Sequence, residues 1–211
     1  MTAVSRALLT GIAALLLATG TAPADITGGR NNPYSDGSIM YIDIIGDIKP
    51  GDDAIFRRLI NTKDYVFVRL NSGGGDLAAG LSIGEQVRAH GKDTTTLVFA
   101  ESRCASVCGL IWLAGNFRYA YEGAKIGFHS AYYASNGKVT AEGNALVGAY
   151  LSRLGFSNAA ITYLTSAPPD SMQWLSCEAL DRYNIEAYIL SNKGNHYPCM
   201  EEFEARHRKK G

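Results

Sequence analysis

Tyr65-Val66-Phe67-Val68-Arg69-Leu70-Asn71-Ser72-Gly73-Gly74-Gly75-Asp76-Leu77-Ala78-Ala79-Gly80 runs from a strand through a turn into a helix. Residues 65–70 are almost continuously apolar and rich in β-branched and aromatic side chains, the pattern of a strand buried on both faces. The glycines that follow allow a turn in which another group can approach the backbone closely. From Leu77 the apolar residues fall at helical spacing as far as His90, where Gly91 supplies a stop. A buried strand handed to an amphipathic helix through a short turn is the building unit of an α/β protein.

The same unit recurs on both sides. Upstream, residues 39–48 read as a strand, Pro50-Gly51-Asp52 breaks it, and Ile55, Phe56, Leu59 and Ile60 set a helical stripe. Downstream, 94–100 reads as a strand leading to Arg103-Cys104-Ala105-Ser106-Val107-Cys108-Gly109-Leu110-Ile111-Trp112-Leu113-Ala114-Gly115. There Ser106 opens an apolar helix and Gly115 closes it. Short strands follow at 117–121 and 125–130, parted by Glu122-Gly123, then helices at 140–154 and 157–166. Pro168-Pro169-Asp170 is a rigid turn, Ser176 caps a further helix, and 185–190 is the last strand. Strands alternating with helices, without linker or repeat, give an α/β fold with a mainly parallel sheet and a single domain over 39–211.

Of the 211 residues, 46% are hydrophobic and 19% charged, and Lys+Arg and Asp+Glu both total 20. This balance provides no global field for nucleic acid or an anionic membrane, and the basic run Arg206-His207-Arg208-Lys209-Lys210 reads as a solvated tail. Arg6, the apolar residues 7–18 and Ala22-Pro23-Ala24 follow the pattern of a signal peptide over 1–24, cleaved after Ala24. Its apolar core is short for a membrane span, and no later stretch is apolar enough, so no stable anchor is expected after cleavage. The expected product is exported, periplasmic or secreted. Residues 25–38, rich in Gly, Asn, Asp and Pro, read as an N-terminal arm without a core.

Export to an oxidising compartment permits disulfides among the four cysteines. A Cys177–Cys199 bridge is expected near the C-terminus; Cys104 and Cys108 either pair or pack as small apolar groups. His196-Tyr197-Pro198-Cys199 has plausible ligand spacing but no second pair nearby, so no metal site is assigned.

Ser106 combines a hydroxyl with the free N–H groups and positive dipole end of a helix. Negative charge developing on a substrate oxygen is stabilised in such a place; an ordinary N-cap is the plain alternative. In Ile126-Gly127-Phe128-His129, alternation puts Ile126 and Phe128 on one face and His129 on the other. His129 is therefore either a solvated or backbone-bonded ring, or a general base.

Three segments together resemble the Clp-protease proteolytic-subunit family of the crotonase-like superfamily: residues 70–80, Cys104-Ala105-Ser106-Val107-Cys108 with Ala114-Gly115, and Ile126-Gly127-Phe128-His129-Ser130. A fourth, residues 174–185, resembles the family's closing helix and strand. The resemblance spans about 39–190 and implies a spiral of ββα units, with substrate between the glycine loop and the serine helix. By position it makes Ser106 the nucleophile and His129 the base, with the N–H groups of Gly75 and Val107 forming the oxyanion hole. The family's acidic third member falls on Met172, whereas Asp170 lies two residues earlier in a turn that Asp itself favours. Asp170 is thus either a shifted triad member or a turn residue. A Ser–His dyad, or a backbone carbonyl orienting His129, remains competent for slower hydrolysis. The resemblance also implies a peptide or protein substrate, self-association and no cofactor. Export separates the chain from any ATPase partner, and the interval from His129 to Asp170 is short for the long handle helix of the Clp proteases.

Rival readings are weaker. Gly73-Gly74-Gly75-Asp76-Leu77-Ala78 fits a dinucleotide fingerprint, but neither NAD nor acyl-CoA suits an exported protein. A Ser–Lys peptidase would need Lys125, which alternates onto the face of His129. The sequence points to an exported serine hydrolase acting as a peptidase; the alternative is a catalytically silent peptide-binding or scaffold protein on the same fold.

Overall fold

The structure, a computed structural model, describes residues 24–29, 39–61, 65–91, 94–191 and, for the backbone, 196–198. Residues 1–23, the rest of the expected arm, Cys199 and the basic tail lie outside the described residues.

Among the described residues the main sheet has seven strands. In chain order they are β1 (Asp25–Gly29), β2 (Ile39–Ile45), β3 (Tyr65–Asn71), β4 (Thr94–Val98), β6 (Phe117–Tyr121), β9 (Tyr188–Leu190) and β10 (His196–Pro198), and they lie side by side in that order. Pairing from β2 through β9 is parallel, and only the edge strands β1 and β10 are antiparallel. Between β2 and β3 the register sets Ile42 opposite Val68. A second sheet joins β5 (Arg103–Ala105), β7 (Lys125–Phe128) and β8 (Gln173–Trp174). Single bridges Ile48↔Gly75 and Ser72↔Cys104 extend this second layer to the segments that follow β2 and β3.

Each turn of chain therefore lays a strand in the main sheet, then a short extended piece in the second, then a helix. The helices are α1 (Asp52–Ile60), α2 (Leu77–His90) and α3 (Val107–Leu113), followed later by α4 (Ala141–Arg153), α5 (Asn158–Thr165) and α6 (Cys177–Arg182). This is the ββα spiral of a mixed α/β protein. The core lies between the helices and one face of the main sheet, where Ile42, Ile44, Val66, Val68 and Leu70 are buried with Phe56, Ile83 and Trp112.

Three local expectations change. Asp25–Gly29 is a strand rather than part of a coreless arm: it pairs along β2, and Ile26 is buried. β3 is buried on one face only, because the apolar character of its other face comes from half-exposed rings: Phe67 packs against Tyr41 at 5.5 Å and Arg69 pairs with Asp43. The strand at 185–190 begins only at Tyr188 and is not the last, because β10 follows and pairs with it.

The serine helix α3 is short and wholly buried, so its last carbonyls need partners inside the protein. Each has one. Tyr150 on α4 donates its hydroxyl to Leu110 O at 2.9 Å, Ala114 N–H reaches Ile111 O, Thr96 donates to Trp112 O, and Arg118 donates to Leu113 O. Burial pushes the Tyr150 hydroxyl far above the usual phenol range, so it stays a donor. The element carrying Ser106 is thus fixed from the strand side and from α4.

Candidate active site

β5 and β7 lie parallel, with Ala105 opposite Gly127, so Ser106 and His129 leave the same end of two neighbouring strands. Ser106 sits between β5 and α3 with φ 59 and ψ −128, a backbone conformation unusual for a residue with a side chain. Such a conformation costs on the order of 1–3 kcal/mol and persists only where its surroundings enforce it. Here they do. Ser106 N–H donates to Gly127 O at 2.9 Å, Ala105 N–H donates to Ser72 O at 3.0 Å, and a Cys104–Cys108 disulfide closes a ring around the serine. The Ser106 side chain makes no N-cap hydrogen bond. The hydroxyl is therefore not consumed in holding the helix, as the plain alternative required.

The glycine loop lies against this elbow. Gly74 has φ +105, and a Cβ there would stand 2.7 Å from Ser106 Cβ. Ser72 holds the loop through its buried hydroxyl, which accepts from Gly74 N–H at 3.0 Å. At Gly75 the bridge to Ile48 uses the flanking groups: Ile48 N–H donates to Gly74 O and Asp76 N–H donates to Ile48 O, both at 2.8 Å. In a parallel bridge of this kind the N–H of the central residue points the other way. Val107 is the first residue of α3, so its N–H has no intrahelical acceptor. Gly75 and Val107 both line one cavity, and that cavity also receives Ser106 and His129. Asp76, by contrast, is occupied as the N-cap of α2, accepting from Ala79 N–H.

His129 follows β7 and is half-buried. Its Nδ1 lies 2.8 Å from Ser130 O. A carbonyl can only accept, so Nδ1 is the nitrogen that carries the proton, and in the neutral ring Nε2 is the one left with a lone pair. The imidazole ring also packs on Tyr132, with centroids 5.4 Å apart. Asp170 is not brought to this site. It is exposed in the turn after Pro168 and does not line the cavity, and Met172 and Trp174 pack over Gly127 on the strand that carries the histidine. Lys125 is exposed at the far end of β7 and does not line the cavity either. The partner of His129 Nδ1 is Ser130 O and not a side chain.

The cavity has a volume of about 640 Å³ and runs from Ile48, Lys49 and Pro50 past the glycine loop to Tyr132, Tyr133 and Thr140. The last three belong to a hairpin tied by the Tyr132↔Val139 bridge. The sequence reading left open a backbone carbonyl as the group that orients His129 but could not say which, since a main-chain group gives no signal in residue type; the carbonyl at Nδ1 is Ser130 O. A feature not read from the sequence is Asn144 on α4, whose side chain binds both main-chain groups of Ala131. A hint was present: Asn is a poor helix-interior residue that seeks backbone partners. Among the described residues no cluster of side chains fit to hold a metal occurs. Cys177 is disulfide-bonded as well, and its expected partner Cys199 is outside the described residues.

No protein-family model and no curated protein matches the sequence. Solved structures do match the fold. A point mutant of ClpP1 from Listeria monocytogenes superposes with a TM-score of 0.54 at 19% identity, over 72% of this chain and 91% of that one. A point mutant of the membrane-bound stomatin-specific protease 1510-N superposes with a TM-score of 0.51 at 16% identity, over 70% of this chain and 75% of that one. The fold is ClpP-like and is shared with proteases.

Proposed function

We propose that the protein is a serine hydrolase acting on peptides or proteins through an acyl-enzyme. The observation that carries this reading is the convergence of Ser106, His129, Gly75 and Val107, from separate turns of the spiral, on one cavity. Ser106 Oγ attacks the substrate carbonyl while His129 Nε2 takes its proton. The N–H groups of Gly75 and Val107 receive the oxyanion, and the proton passes to the leaving amine. Water then attacks the ester with the same ring as base. Oxyanion donors of this type are worth about 3–4 kcal/mol each, so a pair oriented by a carbonyl instead of a carboxylate retains useful catalysis. No cofactor enters these steps.

Export belongs to the same reading. It rests on the leader-like sequence over 1–24 and on the use of cysteines in disulfides. Self-association, without an ATPase partner, is the assembly we expect. That no carboxylate among the described residues bonds His129 favours one competitor, a silent peptide-binding protein on the same fold. A fluorophosphonate probe separates the two: the protein labels covalently, and Ser106→Ala and His129→Ala abolish or nearly abolish labelling. Absence of labelling in the unaltered protein across neutral pH would leave the binding role.

A further inference from the structure

We infer that Asn144 is a positioning residue for His129, acting through a single peptide unit. The inference rests on the hydrolase reading only for its catalytic consequence. Ser130 C=O and Ala131 N–H are the two ends of one planar amide. Its oxygen accepts from His129 Nδ1 at 2.8 Å, and its N–H donates to Asn144 Oδ1 at 3.0 Å. The chain of contacts is therefore Asn144 amide, main-chain amide, imidazole.

The orientation of the Asn144 side chain is dictated by its partners. An N–H faces one end of the amide, so that end is oxygen. Two carbonyls face the other end, Thr140 O at 2.8 Å and Ala131 O at 3.2 Å, so that end is nitrogen. With three hydrogen bonds in place, the side chain has no alternative rotamer that satisfies them. The peptide it holds is fixed in plane, and with it the direction of the Ser130 carbonyl. Hydrogen bonds at both ends of an amide also polarise it, strengthening each by about 10–30%. A carboxylate in a serine triad keeps the imidazole in the tautomer whose Nε2 is free and holds the ring in place. Here the Ser130 carbonyl provides both effects, and Asn144 keeps that carbonyl where it works. The rest of the loop is anchored independently: Ser130 N–H and hydroxyl both donate to Ala167 O, and Thr140 N–H donates to Ala131 O. Removing the Asn144 side chain thus frees the amide plane while leaving the loop attached.

The test pairs a tautomer measurement with a kinetic one. Nitrogen-15 NMR of histidine-labelled protein, with the His129 signal identified by its loss in His129→Gln, reads which ring nitrogen is protonated. The unaltered protein should show the Nδ1–H form, and Asn144→Ala should show a mixture. In parallel, the first-order inactivation rate at saturating fluorophosphonate should fall roughly ten- to hundredfold in Asn144→Ala, the scale on which outer partners of an imidazole act. Half-saturation by the probe should stay unchanged. A purely structural role would lower the melting temperature without altering tautomer or rate. Two results would each overturn the inference: an Nε2–H ring in the unaltered protein, which is readable even if Asn144→Ala does not fold, or a variant with native tautomer and rate. If the unaltered protein fails to label yet its tautomer depends on Asn144, the positioning role stands and the hydrolase reading falls.

Discussion

Gly74 packs against Ser106 so closely that a β-carbon on the glycine would lie 2.7 Å from Cβ and 3.2 Å from Oγ of the serine. The carbonyl of Ala105 would be 2.9 Å away. Neither neighbour is the end of a flexible side chain, and φ at Gly74 is +105, where a side chain is strained in any case. Gly74→Ala should therefore displace the nucleophile as well as cost on the order of 1–3 kcal/mol of backbone strain. Fluorophosphonate labelling of the folded variant should drop by about a hundredfold or more, since small displacements at a reacting centre cost that much. Labelling at the unaltered rate would show that the loop and the elbow are not in register.

The glycine loop also shows how far sequence alone reaches. The order strand, glycine turn, helix at 65–90 and the apolar run after Ser106 are local patterns, so the alternation of an α/β fold was legible from them, whereas the ββα spiral and the joint assignment of Ser106 and His129 came only with the family resemblance. The second sheet was not legible. β5 and β8 have three and two residues, too short for periodicity, and exist because neighbouring turns of the spiral stack. β1 escaped because Gly and Thr dominate it, and only its pairing along β2 makes it a strand. The support of His129 was least legible. Family register fell on Met172 and left Asp170, no third group or a backbone carbonyl as the alternatives; the carbonyl is the one that meets the ring, and since every residue possesses one, nothing in the sequence singles out Ser130.

In the proposed mechanism a carbonyl stands where a triad has a carboxylate, and Asp170 has no part in it. Its side chain is exposed in the turn after Pro168, where a hydrated carboxylate loses little on neutralisation. Asp170→Asn should leave the rate of labelling, and of hydrolysis of any peptide substrate found, essentially unaltered. Removal of a true triad acid costs about 10⁴ in turnover, so the two cases are far apart. A loss of even one-tenth of that size would return Asp170 to the mechanism.

The Cys104–Cys108 disulfide surrounds Ser106, yet the elbow has its own main-chain ties on either side, Ala105 N–H to Ser72 O and Ser106 N–H to Gly127 O. Both cysteines are fully buried, so reductants meet the bond only as the protein opens. Its contribution should accordingly be to stability more than to chemistry. Closing so short a loop is worth about 2 kcal/mol, which for a chain of this size corresponds to a fall of roughly 4–8 °C in melting temperature. Cys104→Ala with Cys108→Ala should show that fall by calorimetry while the folded protein labels at close to the native rate. A variant with native stability and abolished labelling would assign the bond to catalysis instead.

One carboxylate ties Tyr133 to Thr140 in the hairpin beside the cavity, in addition to its main-chain bonds and Asn144. Glu142 accepts from the hydroxyls of Tyr133 and Thr140, each at 3.0 Å, and both donors line the cavity. Its own N–H at the start of α4, then these two hydroxyls, hold its pKa below the ordinary glutamate value. A depressed carboxylate contributes fully above the unfolded value, near pH 4.3, and loses its contribution as pH falls through the lower folded value. The ring signals of Tyr133 should therefore be flat from neutrality down to about pH 5 and shift only in more acid solution. In Glu142→Gln the amide oxygen still accepts both hydroxyls but has no proton to gain, so the acid transition should vanish. A Tyr133 transition centred above the ordinary glutamate range, or one that persists in Glu142→Gln, would mean that some other group holds the hairpin.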